Sequence, residues 1–364
     1  MRLKENRGPV AVVLVSCLAL FAGVLHFTGV LGEWRDGMSL DRACRGTLAR
    51  SGLVEALDGD RVASSDLDSD PGSGALTRCA VTSRDSHDSL RIDVRWGSDA
   101  DDQALSLRRA DMTGVLGRAA PLGGDWPGAF SLGGDVPQVS VVLACRNRKD
   151  ESLLVSSLLS GSGSGSGGGP GDGGARQAAQ ARLTTATAMK AAEEFGCEAS
   201  GGKETTDAPD DPLGAPVPLD RANGTCAALR PSAAEARKAG VPGAMESVGQ
   251  KNASLTDCFL ATPGGEPGYR LSAAYGPLAK AFRALTPTRL RGEAGAVEGT
   301  NHAWATARCP GSAERAVFTL WRVHDPQKNS FAVKKRSASF EAAVLKAFAG
   351  QSARAQGCSD LRLP

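Results

Sequence analysis

Aromatic residues are scarce: Phe, Trp and Tyr make up 5% of the 364 residues, and only 2 are tyrosines. A core short of rings rests on Ala, Val and Leu, which bury less apolar area each, so the fold needs support from elsewhere. Clustered charge is missing as well. Lys plus Arg number 42 against 40 Asp plus Glu, a net charge of +2, and the first eight residues, MRLKENRG, carry that excess. The nearly neutral remainder has no basic stripe to displace counterions, which excludes a nucleic-acid partner. No C-x-x-C pair occurs, and no G-x-S-x-G, H-E-x-x-H, phosphate loop or G-x-G-x-x-G stands in a credible strand–turn–helix context. No catalytic, cofactor-binding or metal-binding residue is therefore assigned.

One long hydrophobic run is present. Residues 9–32, PVAVVLVSCLALFAGVLHFTGVLG, are apolar except for Ser16, His26 and Thr28. About 20 such residues, rising ~1.5 Å each, span the ~30 Å hydrocarbon layer. Arg2, Lys4 and Arg7 precede the run, while Glu33 and Asp36 follow it. The positive-inside rule then predicts a cytoplasmic tail over 1–8, a single transmembrane helix over 9–32, and an exported remainder. Leu14-Val15-Ser16-Cys17 also fits a lipobox. The apolar stretch continues well past Cys17, however, and shows no A-x-A exit, which favours an uncleaved anchor. His26 reads as tolerated near the outer end and Trp34 as an interfacial anchor.

The other eight of the nine cysteines, at 44, 79, 145, 197, 226, 258, 309 and 358, all follow this segment. An even number in an oxidising compartment reads as disulfides, and spacings of 29 residues or more argue against a metal site. The cysteines divide four and four, and their surroundings repeat. SLDRA before Cys44 returns as PLDRA before Cys226; ALTRCAVTS (75–83) matches SLTDCFLAT (254–262). Strand-like SLRIDVRWG (89–97) and YRLSAAYGP (269–277) come next, followed by helix-like DQALSLRRADMTG (102–114) and PLAKAFRALTP (277–287). Each half then shows a strand ending in its third cysteine, a second apolar strand (152–159 or 316–323), and a closing helix that ends in Gly-Cys. In the last helix Phe340, Val344 and Phe348 form one apolar stripe.

This repeat places the run SGSGSGSGGGPGDGG (160–174) inside the first unit, between its last strand and its closing helix. The expected organisation is a first module over 38–199, a polar, Pro-rich linker over 200–217, and a second module over 218–361. Each is expected to be α+β, an antiparallel sheet with helices on one face. Four cysteines admit three pairings, and sequence alone does not choose. The favoured set is 44–79, 145–197, 226–258 and 309–358. It would tie the opening helix, CRGTLARSGLVEAL, to the first strand, and the middle hairpin to the closing helix.

Few residues suggest chemistry. Ser86-His87-Asp88 contains triad residue types, but neighbours in sequence do not form a triad, and the stretch reads as a hairpin turn. His302 and His324, with Asp325, flank a predicted hairpin and read as exposed strand ends rather than metal ligands. Trp126, in the Gly-rich stretch GGDWPGAFSLGG, is a possible binding residue, though such a ring more often covers a core edge.

The sequence resembles a group of uncharacterised membrane-anchored or lipidated envelope proteins of actinobacteria with tandem four-cysteine modules. The likeness rests on Cys44-Arg45-Gly46-Thr47-Leu48, on Cys79, and on Gly123 to Gly128 before Cys145. It covers about residues 38–361, departs at Cys226-Ala227-Ala228-Leu229, and implies no activity. The expectation is a non-enzymatic, single-pass cell-membrane protein with the bulk of its chain outside. Its two modules would bind an envelope protein or cell-wall component. The alternative is an envelope hydrolase with a site between the modules.

Overall fold

The computed structural model describes residues 30–59, 61–67, 74–105, 117–133, 136–161, 172–203, 214–286, 290–296, 301–325 and 328–364. The apolar run 9–32, with Cys17 and His26, lies outside them apart from its last three residues. Among the described residues no helix is long and apolar enough to cross a membrane.

The chain is mixed α+β, with two large antiparallel sheets. The first unit opens with helix α1 (Val30–Arg42) and the short α2 (Leu53–Leu57). Its strands are β1 (Val62–Asp66), β2 (Ala75–Ser83), β3 (Ser89–Trp96), β4 (Arg118–Pro121), β5 (Gly128–Gly133), β6 (Val136–Ala144) and β7 (Ser152–Ser160), and helix α3 (Asp172–Glu194) closes it. They lie in the order β1-β2-β3-β7-β6-β5-β4. The second unit has β8 (Val217–Pro218), α4 (Ala233–Lys238), β9 (Gly243–Glu246), β10 (Leu255–Ala261), β11 (Pro267–Ala274), α5 (Gly276–Leu285), β12 (Gly295–Ala296), β13 (His302–Arg308) and β14 (Ala316–Arg322). After the small hairpin β15 (His324–Asp325) and β16 (Ser330–Phe331) come the closing helix α6 (Ala338–Ala355) and β17 (Ser359–Arg362). The order is β12-β13-β14-β11-β10-β9-β8, with β17 added beside β13. The central four strands therefore run β2-β3-β7-β6 in one sheet and β10-β11-β14-β13 in the other, the same topology.

The bridges are Cys44–Cys79, Cys145–Cys197, Cys226–Cys258 and Cys309–Cys358, the favoured set, and none joins the two units. The predicted opening helix 44–57 is not continuous. Cys44 and Arg45 take positive φ and Gly52 has φ 78°, so the segment is a 3-10 turn followed by the short α2. A right-handed helix does not run through such residues. The predicted helix 277–287 appears as α5, whereas most of 102–114 lies outside the described residues.

Strand alternation puts two chemistries on the two faces of each sheet. In the first unit Cys79, Val81, Leu90, Ile92, Val139, Val141 and Val155 point into a core closed by α3. In the second, Cys258, Leu260, Leu271, Phe318 and Leu320 meet Phe340, Val344 and Phe348 of α6. The opposite faces meet each other. Ala119, Ala129 and Leu154 of the first unit pack with Leu255, Ala274, Val317 and Trp321 of the second, and α5 wedges Leu278 and Phe282 into the same cluster. The two sheets thus lie back to back, each with a closing helix on its outer face.

Candidate functional site

The contact between the units holds a fully buried ion pair. Asp257 of β10 and Arg270 of β11 are both fully buried and bonded at 2.9 Å. Asp257 also accepts from the Ala119 N–H at 2.7 Å and from the Ser272 hydroxyl, and Arg270 donates to Gly117 O at 3.0 Å. The first unit carries its own buried charged cluster, Arg78 and Arg95 on Asp93, on the face of β2 and β3 opposite the core closed by α3. Asp257, Arg270 and Ser272 are sealed from solvent, and Asp257 and Arg270 bond across the seam. They join the units rather than meet a substrate.

An open pocket of about 370 Å³ lies in the second unit beside this seam. It is bounded by the turn at Gly224–Thr225, the loop 249–253, Tyr275 at the end of β11, and the last turn of α6. Each wall is fixed by a bond elsewhere. The Glu246 carboxylate accepts from the N–H groups of Asn223, Gly224 and Cys226 at 2.8–2.9 Å, pinning the turn. Gly224 is required there, since a Cβ would run into the Ser247 carbonyl. Thr225 donates its hydroxyl to Asp257 O at 2.6 Å, linking the turn to the buried pair's strand. The Tyr275 hydroxyl donates to Ser352 O at 3.2 Å, and its ring meets Phe318 edge-on at 5.8 Å. Burial pushes the Tyr275 phenol well above the ordinary tyrosine range, with the Ser352 side chain acting in the opposite direction. Gln356 donates to Ala253 O at 3.1 Å, tying α6 to the loop.

Gln250 connects the pocket to the first unit. Its Oε1 accepts from Gly123 N–H at 2.9 Å and its Nε2 donates to Trp126 O at 3.0 Å, a two-point grip on the backbone. Trp126 itself is turned inward and 6% exposed, with its indole N–H donating to Lys203 O at 2.6 Å. Gly201 and Gly202 run across the ring, where any Cβ would collide. The Trp126 loop thus covers a core edge and buttresses the seam; its ring does not face solvent.

The remaining sequence-derived residues fall elsewhere. Ser86 donates to Leu57 O, His87 takes φ 61° in the turn between β2 and β3, and Asp88 is buried against Arg176 of α3. They form a turn, as expected. His302 corrects the reading as an exposed strand end: it is 7% exposed and stacked on Trp321 at 4.3 Å. The alternation of β13 puts it on the face toward the other unit, where rings gather. His324 packs edge-on against Phe331 at 5.1 Å. No group of three or more His, Cys, Asp or Glu able to hold a metal occurs among the described residues. The sequence reading missed the pocket residues Thr225, Gln250, Tyr275 and Gln356.

Comparison with known proteins gives no further guidance: no protein family, curated protein or solved structure matches the chain.

Proposed function

We propose that this is a single-pass cell-envelope protein, anchored by residues 9–32, whose two stapled units stand outside the membrane and act by binding rather than by catalysis. The reading accords with the sequence resemblance to membrane-anchored actinobacterial envelope proteins. The observation that carries the reading is the cysteine count: all eight cysteines after the apolar run are consumed in four bridges. Such full pairing belongs to an oxidising compartment. The charge bias before residue 9 supplies the orientation. A pocket with fixed walls and open access supports binding as the activity.

The test has two arms on the full-length chain in bacterial cells. A membrane-impermeant protease added outside should degrade the part after residue 33 and spare the first eight residues. Alkylation without reduction, followed by mass analysis, should find no free thiol after residue 33. A protected body or free thiols among the eight would end this reading.

A further inference from the structure

The pocket has an internal counterpart in the first unit. Counting back from the Gly-Cys that closes each unit, Gln356 corresponds to Phe195, Ser352 to Ala191 and Gln351 to Lys190. Trp96 lies four residues beyond Ile92, the partner of Cys79, and Tyr275 lies four beyond Leu271, the partner of Cys258. In the first unit this place is filled. Phe195 and Trp96 pack onto the core, Arg45 covers the Phe195 ring at 5.6 Å, and Arg148 covers the Trp96 ring at 4.3 Å. Lys190 is engaged elsewhere, donating to Leu48 O at 3.1 Å. In the second unit an amide replaces the Phe195 ring, a hydroxyl replaces the Ala191 methyl, and the space stands open at about 370 Å³.

One topology and one disulfide pattern thus carry half-buried rings at this place in one copy and, in the other, an open hollow whose mainly apolar wall is set with a few polar groups. The fold does not require polar groups at these steps, because the first unit has a ring and a methyl there. Giving up a packed ring forgoes apolar burial, a loss that a ligand site explains.

The chemistry of the walls narrows the occupant. Among the described residues, the Gln351 amide, the Thr256 hydroxyl and the Lys251 ammonium line the pocket and make no hydrogen bond or ion pair, and the Ser352 hydroxyl, engaged by the Tyr275 phenol, lines it too. Amides and hydroxyls both donate and accept, as sugar hydroxyls do. Tyr275 offers a ring against which the C–H face of a pyranose can lie. A single cation and no carboxylate line the space, which disfavours a highly charged ligand. The volume sits low in the ~300–1,000 Å³ range of small-molecule sites, enough for one or two sugar rings and too little for a long peptide. We propose that this pocket of the second unit is a saccharide-binding site taking a pyranose of the cell envelope. The proposal rests on the binding-protein reading above and names its ligand class.

The test is ligand-observed saturation-transfer NMR on the full-length chain in a sugar-free zwitterionic detergent. The probes are N-acetylglucosamine and glucose, with glycerol as an acyclic polyol control. The unsubstituted chain should transfer saturation to ring protons of at least one sugar and not to glycerol. Gln356→Phe, which installs the ring that the first unit already tolerates, should weaken that binding at least about tenfold; Gln351→Ala should weaken it less. Both variants should keep four bridges and unfold in one cooperative transition, Gln356→Phe melting no more than a few degrees lower for the loss of its bond to Ala253. Absence of transfer to either sugar, or equal transfer in the unsubstituted chain and Gln356→Phe, overturns the assignment. Because export is read separately, a chain that proves exported yet binds neither sugar sinks this proposal alone.

Discussion

Asp257 and Arg270 are the residues on which the joint between the units depends. A buried ion pair contributes little net stability when formed, because two charges lose their water, but breaking it leaves one of them bare. Asp257→Ala strands the Arg270 guanidinium and removes the acceptor for the Ala119 N–H and the Ser272 hydroxyl. The expected loss is about 3–5 kcal/mol. Asp257→Ala combined with Arg270→Met removes both charges and should cost less than the single change. Urea unfolding of the three proteins checks the order, and a double variant worse than Asp257→Ala would contradict it. Sequence reading passed over this pair because a lone Asp and a lone Arg in strands look like solvent-facing positions. Nothing in one unit's alternation announces that the far face is covered by the other.

At the scale of elements, the glycine run tests how the chain is divided. Helix α3 returns to its own sheet, with Leu183, Ala188 and Ala191 in the first core, and Cys197 pairs with Cys145 before the run. A protease site inserted within residues 162–171 should therefore, once cut, leave the halves joined through that bridge. They should migrate as one band without reductant and as two with it. The Cys145→Ala, Cys197→Ala chain should separate on a non-reducing denaturing gel, and it should lose about 2–4 kcal/mol of stability before cutting. Doubling the length of the run should cost only about 0.6 kcal/mol, since closure entropy grows logarithmically.

The elements also show what was readable in advance. The even cysteine count and the repeated Gly-Cys endings announce that bridges exist and where the closing helices end, because a helical stripe is a local signal, although the pairing itself is not written in the spacing. The opening segment misled: its apolar residues suit a helix, but positive φ at Cys44, Arg45, Gly46 and Gly52 breaks it, and of these the two glycines alone gave warning. The pocket left a trace that one unit alone hides. Set side by side, EEFGC (193–197) and RAQGC (354–358) exchange a ring for an amide at the same step. His302 escaped for a tertiary reason, because the rings that bury it, Trp304 and Trp321, belong to a face that looks exposed until the second sheet is placed.

At the scale of the whole molecule, the two units should behave as one folding body although no covalent bridge joins them. The seam buries Leu255, Phe282, Val317 and Trp321 against Ala119, Ala129 and Leu154, and the Gln250 grip and the Asp257–Arg270 pair fix its register. Strands buried on both faces, such as β13 and β14, have no solvated side on which to stand alone. Domains joined by a small polar contact would melt separately, whereas an apolar seam stitched by buried charge couples them. Thermal unfolding of the full chain should accordingly give one transition. A protease site placed within residues 204–213 provides the sharper measurement, because the connection between the units passes there and every bridge lies to one side of it. After cutting, the halves should co-elute on size exclusion under native conditions, yet separate on a non-reducing denaturing gel. That is the opposite of the cut within 162–171, where the bridge alone holds the pieces together under denaturant. If the pieces cut at 204–213 drift apart in native buffer, the back-to-back packing of the sheets is too weak to define the molecule.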